Sequence, residues 1–289
     1  MPPHVSIVTD STAYLSPQAL TRHAISLVPL TVVIDDEAFV EGAEISAPAV
    51  ARALQRRRPV TTSRPSPAEF TAAYEAAAAS GAKAIVSLHL SADFSGTYDA
   101  ATVAAKEAPV PVRVVDTGMV AMALGFTVLA AAEAAEAGGT ADDVVAAAER
   151  RAAATSAFFY VDTLDYLRRG GRIGAAQALF GSALAVKPLL RLADGRIELL
   201  EKVRTASKAV TRLEEIVVEC AGAAVDGGAG SGRVDLAVHH LAAADRAAAL
   251  AERLRPRVPG LGELVVSEVG AVIGAHAGPG LLGVVVSPR

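Results

Sequence analysis

Short apolar runs of strand character alternate with longer alanine-rich stretches through the first half of the chain. Residues 5–8, 28–34, 84–90 and 112–115 read as strands, and 84–90 is apolar almost without interruption, the pattern of a strand covered on both faces. Residues 16–23, 67–80 and 99–108 read as helices, the second with Phe70 and Tyr74 four apart on one face. Strands alternating with helices predict a parallel sheet with right-handed crossovers. The strands that begin at Val5, Ala84 and Val112 each run into a polar segment: Thr9-Asp10-Ser11-Thr12, residues 91–97, and Asp116-Thr117-Gly118. The carboxyl ends of strands in an open parallel sheet form its ligand crevice. Here they carry hydroxyls.

The second half has a different pattern. Residues 157–161 read as a strand and 164–168 as a helical turn, after which Gly170-Gly171 breaks the chain. A helix is expected over 175–184. Residues 188–192 and 197–203 flank Asp194-Gly195, a strong signal for a two-residue hairpin. A helix over 206–220 precedes a glycine-alanine linker, and a strand at 234–239, a helix at 244–254 and strands at 263–269 and 283–286 complete an α/β unit. A boundary near 153–156 divides the chain into expected domains at 1–155 and 156–289.

Composition narrows the partners more than the fold. The apolar share of the 289 residues is 52%, but 63 of them are alanine, and without alanine about 30% is strongly apolar, as in ordinary globular proteins. A net charge of −4 leaves no basic excess for nucleic-acid phosphates or an anionic membrane, so neither is expected beyond peripheral membrane contact. Arg56-Arg57-Arg58 is too short a run to change this. The one cysteine, Cys220, excludes an internal disulfide framework and argues against a cysteine-based zinc site. The longest apolar run, 118–132, falls short of the roughly 20 residues that span a bilayer and reads as a buried helix. Residues 5–8 stop at Thr9-Asp10 with no basic leader before them. A soluble, cytoplasmic protein is expected.

Four segments carry candidate chemistry. Ser95, Gly96 and Thr97 fall at a helix N-terminus, where free N–H groups and two hydroxyls suit an anion; helix capping is the competing reading. Thr61-Thr62-Ser63 places three hydroxyls in a row, able to surround an oxyanion, before a helix starting at Pro67; a capping loop with Ser66 as the cap is the competing reading. His276 is expected on a glycine-rich loop, where it could donate a hydrogen bond or shuttle a proton; an ordinary surface-loop histidine is the competing reading. Arg204, at the end of a hairpin strand, could clamp a phosphoryl group, and Arg172 closes a basic turn. Two other patterns are set aside. Residues 278–283 match a dinucleotide fingerprint without room for its βαβ unit, and His239 and His240 would point to opposite faces of a strand, which argues against a metal site.

In this order the segments resemble the DegV family of bacterial fatty-acid-binding proteins, which includes the lipid-carrying subunit of fatty acid kinase. The matching stretches are IVTDST at 7–12, TSRPSP at 62–67, FSGTY at 94–98, VVDTGMVAMALGF at 114–126, LDYLRRGGRIG at 164–174, KPLLRLADGRIELLEKVRT at 187–205 and GAHAGPG at 274–280. The resemblance covers one unit over about 4–287. It implies two α/β domains, an N-terminal parallel-sheet (Rossmann-like) domain and a C-terminal mixed α/β domain, with a long acyl chain buried between them. It further implies that Thr62 and Ser95 hold the fatty-acid carboxylate, supported by Ser63, Gly96, Thr97 and His276. His276 and Arg204 then match family positions at the mouth of the site, where a separate kinase subunit transfers phosphate to the carboxylate, and Arg172 is expected to join them. One departure is Ala206, where the family often carries a second basic residue. The expected protein is a non-catalytic carrier with a long-chain fatty acid as ligand, no cofactor and no metal. The rival reading is a hydrolase or acyltransferase with Ser95 as nucleophile, His276 as base and Asp10 or Asp116 as the acid; no G-x-S-x-G surrounds Ser95.

Overall fold

The computed structural model describes residues 5–174, 176, 187–227 and 231–289. Its N-terminal sheet contains β1 (Val5–Asp10), β2 (Ser26–Val28), β6 (Ala84–His89) and β7 (Val112–Asp116), in the order β2-β1-β6-β7 and parallel throughout. Both faces are covered, as the apolar run through β6 requires. On one face α3 (Pro67–Ala79) and α4 (Thr97–Ala105) bury Phe70, Tyr74, Ala100 and Ala101 against Val8 and Ile85. On the other, α5 (Met122–Glu136) and α6 (Ala141–Ala154) pack Leu124, Val128 and Val144 on Ile7, Val86 and Leu88. Helix α3 starts where its residues dictate: Pro67 takes the first turn, and Ser66 and Glu69 close a reciprocal capping box.

The second sheet begins at Ser156. It comprises β8 (Ser156–Tyr160), β9 (Lys187–Ala193), β10 (Arg196–Val203), β11 (Val234–His240), β12 (Leu261–Glu268) and β13 (Leu282–Pro288), ordered β10-β9-β8-β13-β11-β12. All pairs are antiparallel except β11 with β12. The last strand of the chain therefore enters the middle of the sheet. Helices α8 (Ala206–Asp226) and α9 (Ala244–Leu254) cover the outer face through Leu213, Val217 and Leu250. The hairpin turn has Asp194 at φ 48° and Gly195 at φ 74°, the left-handed pair that a two-residue turn needs. Short helix α7 (Asp165–Arg169) follows β8.

Three local expectations change. The run 28–34 is two strands: β2 ends at Val28 and β3 (Thr31–Ile34) belongs to a separate sheet with β4 (Glu37–Val40) and β5 (Val60–Ser63), ordered β4-β3-β5. Pro29 lies between them, with fixed φ and no N–H to continue the first ladder. Thr61, Thr62 and Ser63 are not a loop but part of β5, paired antiparallel to β3 with Val32 opposite Thr62. His276 is not on a loop but in the last turn of α10 (Ala271–Ala277), which Gly278 ends at φ 76°. The helix expected over 175–184 falls outside the described residues, apart from Ala176.

Helix α5 is the element shared by the two sheets. Its Leu124 and Val128 face the N-terminal sheet, whereas Met122, Ala123 and Phe126 pack against Ala237 of β11 and Val285 of β13. An apolar stretch without a polar face is what a helix buried on both sides requires. Among the described residues, no helix is long and apolar enough to cross a membrane.

Candidate functional site

A largely apolar, partly open cavity lies between the inner face of the six-stranded sheet and the carboxyl ends of the N-terminal strands. The sheet contributes Phe159, Leu192, Gly283 and Val285; the strand-end loops contribute Thr12, Leu90 and Phe94; α10 contributes Val272, Ile273 and His276. The Asp194-Gly195 turn bridges the two sides, its Gly195 carbonyl accepting from Ser91 Oγ at 2.7 Å.

Most polar groups of the wall form one connected cluster. Thr62 Oγ1 and His276 Nε2 lie 2.7 Å apart. The His276 ring packs on Gly170, where a Cβ would overlap Nδ1. Arg172 joins that glycine to the opposite loop, donating to the Gly170 carbonyl and from Nε to the Phe94 carbonyl at 2.9 Å. Next to Phe94, Ser95 Oγ and Thr97 Oγ1 are 2.8 Å apart. The Arg64 guanidinium lies across Gly96, where a Cβ would overlap Nη1, and the chain returns through Ser63 to Thr62. Thr62, Ser63, Arg64, Ser95, Arg172 and His276 all line the cavity. Thr97 is buried behind Ser95, and Gly96 caps α4. In α4 the Ala100 N–H is bonded to the Gly96 carbonyl, so the amides of Thr97, Tyr98 and Asp99 precede the helical ladder.

Burial, with Arg172 nearby as a like charge, pushes His276 down to about 4, so its imidazole is neutral at pH 7. Its buried Nδ1 has no hydrogen-bond partner among the described residues. With the proton on Nε2, the ring donates to Thr62 Oγ1 and leaves the threonine O–H free for a ligand oxygen.

Elsewhere in the wall, buried His239 accepts from Met122 N–H at Nε2 (3.2 Å) and lies 3.1 Å from Ser267 Oγ at Nδ1. Burial holds it down to about 4 as well. Arg204 is not in the wall; it is exposed just beyond the end of β10. The two candidate acids are engaged away from His276. Asp10 is fully buried, accepts from Leu90 N–H and contacts His89 Nδ1 at 3.1 Å, and Asp116 accepts from Ala92 and Gly118 N–H groups. Among the described residues, no group of three or more His, Cys, Asp or Glu could hold a metal ion.

Sequence reasoning gave no role to Arg64, Thr12 or His239. Arg64 stood inside the TSRPSP segment, between a run of hydroxyls and a proline, and that neighbourhood was its signal. Alternation along β11 places His239 on the same face as Ala237, toward the cavity, which was readable once the strand was assigned.

Comparison with known proteins agrees along the whole length. Residues 4–289 match the DegV family, described as uncharacterised proteins. A DegV domain-containing protein of Streptomyces coelicolor is 72% identical over 286 residues, 99% of each chain, and one from Mycobacterium tuberculosis is 39% identical over 287 residues, 98% of this chain and 96% of the relative. Two solved structures superpose on 99% of both chains: a fatty-acid-binding DegV family protein from Thermus thermophilus, at 33% identity and TM-score 0.90, and DegV, a fatty acid binding protein from Bacillus subtilis, at 34% identity and TM-score 0.88. With agreement of this extent in sequence and in fold, the chain belongs to the DegV family.

Proposed function

We propose that the protein binds a long-chain fatty acid, its acyl chain in the cavity between the two sheets and its carboxylate held by Thr62 and Ser95. The observation that carries this reading is a largely apolar cavity with a cluster of hydroxyls around a neutral imidazole at one part of its wall. Each acyl methylene removed from water there is worth about 0.8 kcal/mol. A carboxylate leaving water stays ionised only if hydrogen bonds replace its hydration. Thr62, released by the Nε2–H of His276, and Ser95, backed by Thr97 and beside Gly96, can supply them; Ser63 lies at the rim. The fold of two fatty-acid-binding relatives points the same way.

In this reading the protein is a cytoplasmic, non-catalytic carrier, built as two units that divide near residue 155. It presents the carboxylate to a separate kinase subunit for acyl-phosphate formation. Exposed Arg204 offers that partner a charged contact, and Arg172 fixes the two loops around the carboxylate. The pairing of His276 with Thr62, and the engagement of Asp10 and Asp116 elsewhere, favour binding over nucleophilic attack by Ser95.

Native mass spectrometry of the purified protein, followed by organic extraction, tests the reading. A near-stoichiometric long-chain fatty acid is expected. Protein that arrives empty, hydrolyses acyl esters and loses that activity on Ser95→Ala would overturn it. The kinase step is tested separately: Arg204→Ala should retain the lipid while acyl-phosphate formation with an added kinase subunit and ATP falls.

A further inference from the structure

We propose that Arg64 is the counter-charge of the bound carboxylate and that Gly96 is the seat on which its guanidinium rests. This deepens the fatty-acid reading and depends on it. Arg64 lies directly after β5, exposed to solvent yet part of the cavity wall, so it stands at the mouth of the polar cluster. Its side chain makes no hydrogen bond or ion pair with any described residue. The neighbouring charges are already committed. Arg172 is spent on the carbonyls of Phe94 and Gly170, and Asp93, on the same loop as Ser95, is paired with Arg196 at 3.1 Å. A guanidinium with five donors, held over Gly96 between Ser95 and Thr97 and without a protein anion, is arranged for a carboxylate brought by the ligand.

Gly96 has an ordinary negative φ, so backbone conformation does not demand glycine there. A Cβ would meet Arg64 Nη1, the far end of a flexible side chain, so a larger residue is accommodated only by shifting the guanidinium off this seat. The two residues therefore form a pair, one carrying the charge and the other leaving room for it. The hydroxyls orient the carboxylate, and Arg64 makes the site prefer an anion over a neutral headgroup of the same length. Because Arg64 is exposed, its share of the affinity is screened by salt.

The test uses delipidated full-length protein, with palmitate and hexadecanol as probes of equal chain length, measured by calorimetry at low and high salt. Arg64→Gln should weaken palmitate about tenfold, the scale of one hydrogen bond to an ionised group, and leave hexadecanol unchanged. Arg64→Lys should restore part of the preference. Gly96→Ala should weaken palmitate by displacing Arg64, and should add little in the Arg64→Gln background. Unaltered melting temperatures identify folded variants. Palmitate binding by Arg64→Gln equal to wild type, or equal losses for acid and alcohol, would overturn the proposal while leaving the fatty-acid reading intact. Wild-type protein that binds neither probe would overturn both.

Discussion

Thr62 and His276 stand 214 residues apart in the chain and meet at 2.7 Å, which makes the imidazole part of the hydroxyl cluster rather than a free base. A second buried histidine, His239, shares this neutral state. His276 and His239 are both held down to about 4, chiefly by burial. A base whose folded value lies below its unfolded value of about 6.5 contributes its full stability above pH 6.5 and loses it as pH falls toward 4, because the unfolded chain takes up the proton first. Glu41 works in the opposite sense: its carboxyl is raised by burial, so acid relieves rather than adds cost there. His239→Gln can keep the bonds to Met122 and Ser267 without titrating. Unfolding free energies from urea titrations between pH 7 and pH 4 should therefore fall less steeply in His239→Gln than in wild type, by a few kcal/mol over that interval. Parallel slopes would show that His239 is not the titrating group. At this scale the hydroxyls were legible, because donors clustered after apolar strands announce a crevice. The face on which His239 lies was readable from its strand and Arg64 stood in a marked segment, but their partners, Met122 and Gly96, are brought near only by folding.

The element that sets His276 in place is α10, a seven-residue helix tied at its start to the opposite half of the chain. Glu41, just after β4, accepts the Val272 N–H at 2.8 Å and a bond from Ser11 Oγ; Tyr14 accepts the Ile273 N–H at 3.3 Å. Gly270 leaves room for both, since a Cβ there would overlap Glu41 Oε1 and the Tyr14 ring. A buried carboxylate at a helix start satisfies amides that would otherwise lack partners. Glu41→Ala should cost about 1–3 kcal/mol of stability for those unsatisfied donors, and lipid retention should fall with it because His276 rides on α10. A denaturation midpoint and an extracted-lipid assay on the same preparation check both effects; full stability would mean that α10 needs no such anchor. Nothing in the sequence pairs Glu41 with Val272. Elements with strong local signals were legible: α9 by its period, α3 by Ser66-Pro67, and the hairpin by Asp194-Gly195. The pattern misled where tertiary pairing decides, as in β5, whose hydroxyls looked like a loop until β3 supplied a ladder, and in α10, whose glycine and short length hid its helical period.

Across the whole molecule, the cavity is a seam in a continuous apolar interior, with α5 closing part of it by serving both sheets. The parallel order of the N-terminal sheet follows from strands alternating with helices. The six-strand order does not, because the insertion of β13 between β8 and β11 depends on partners more than forty residues away in the chain. A cavity is less legible still, since the residues lining it look in sequence like any other core positions. Its energetic signature is nevertheless specific. On the proposed reading, a fatty acid filling the seam would complete contacts from both sheets at once and bind the folded chain only, and so would stabilise it by mass action, about 2.7 kcal/mol when free ligand is a hundredfold above its Kd. For a chain of this size each kcal/mol moves Tm by roughly 2–4 °C. Delipidated protein should therefore melt about 5–10 °C below the loaded form and recover on addition of a long-chain fatty acid. The shift should grow with acyl length until the apolar wall is filled, since each added methylene contributes about 0.8 kcal/mol only while it is buried. Equal melting temperatures with and without lipid would mean that the seam closes on itself when empty, and that the acyl chain is not part of the core.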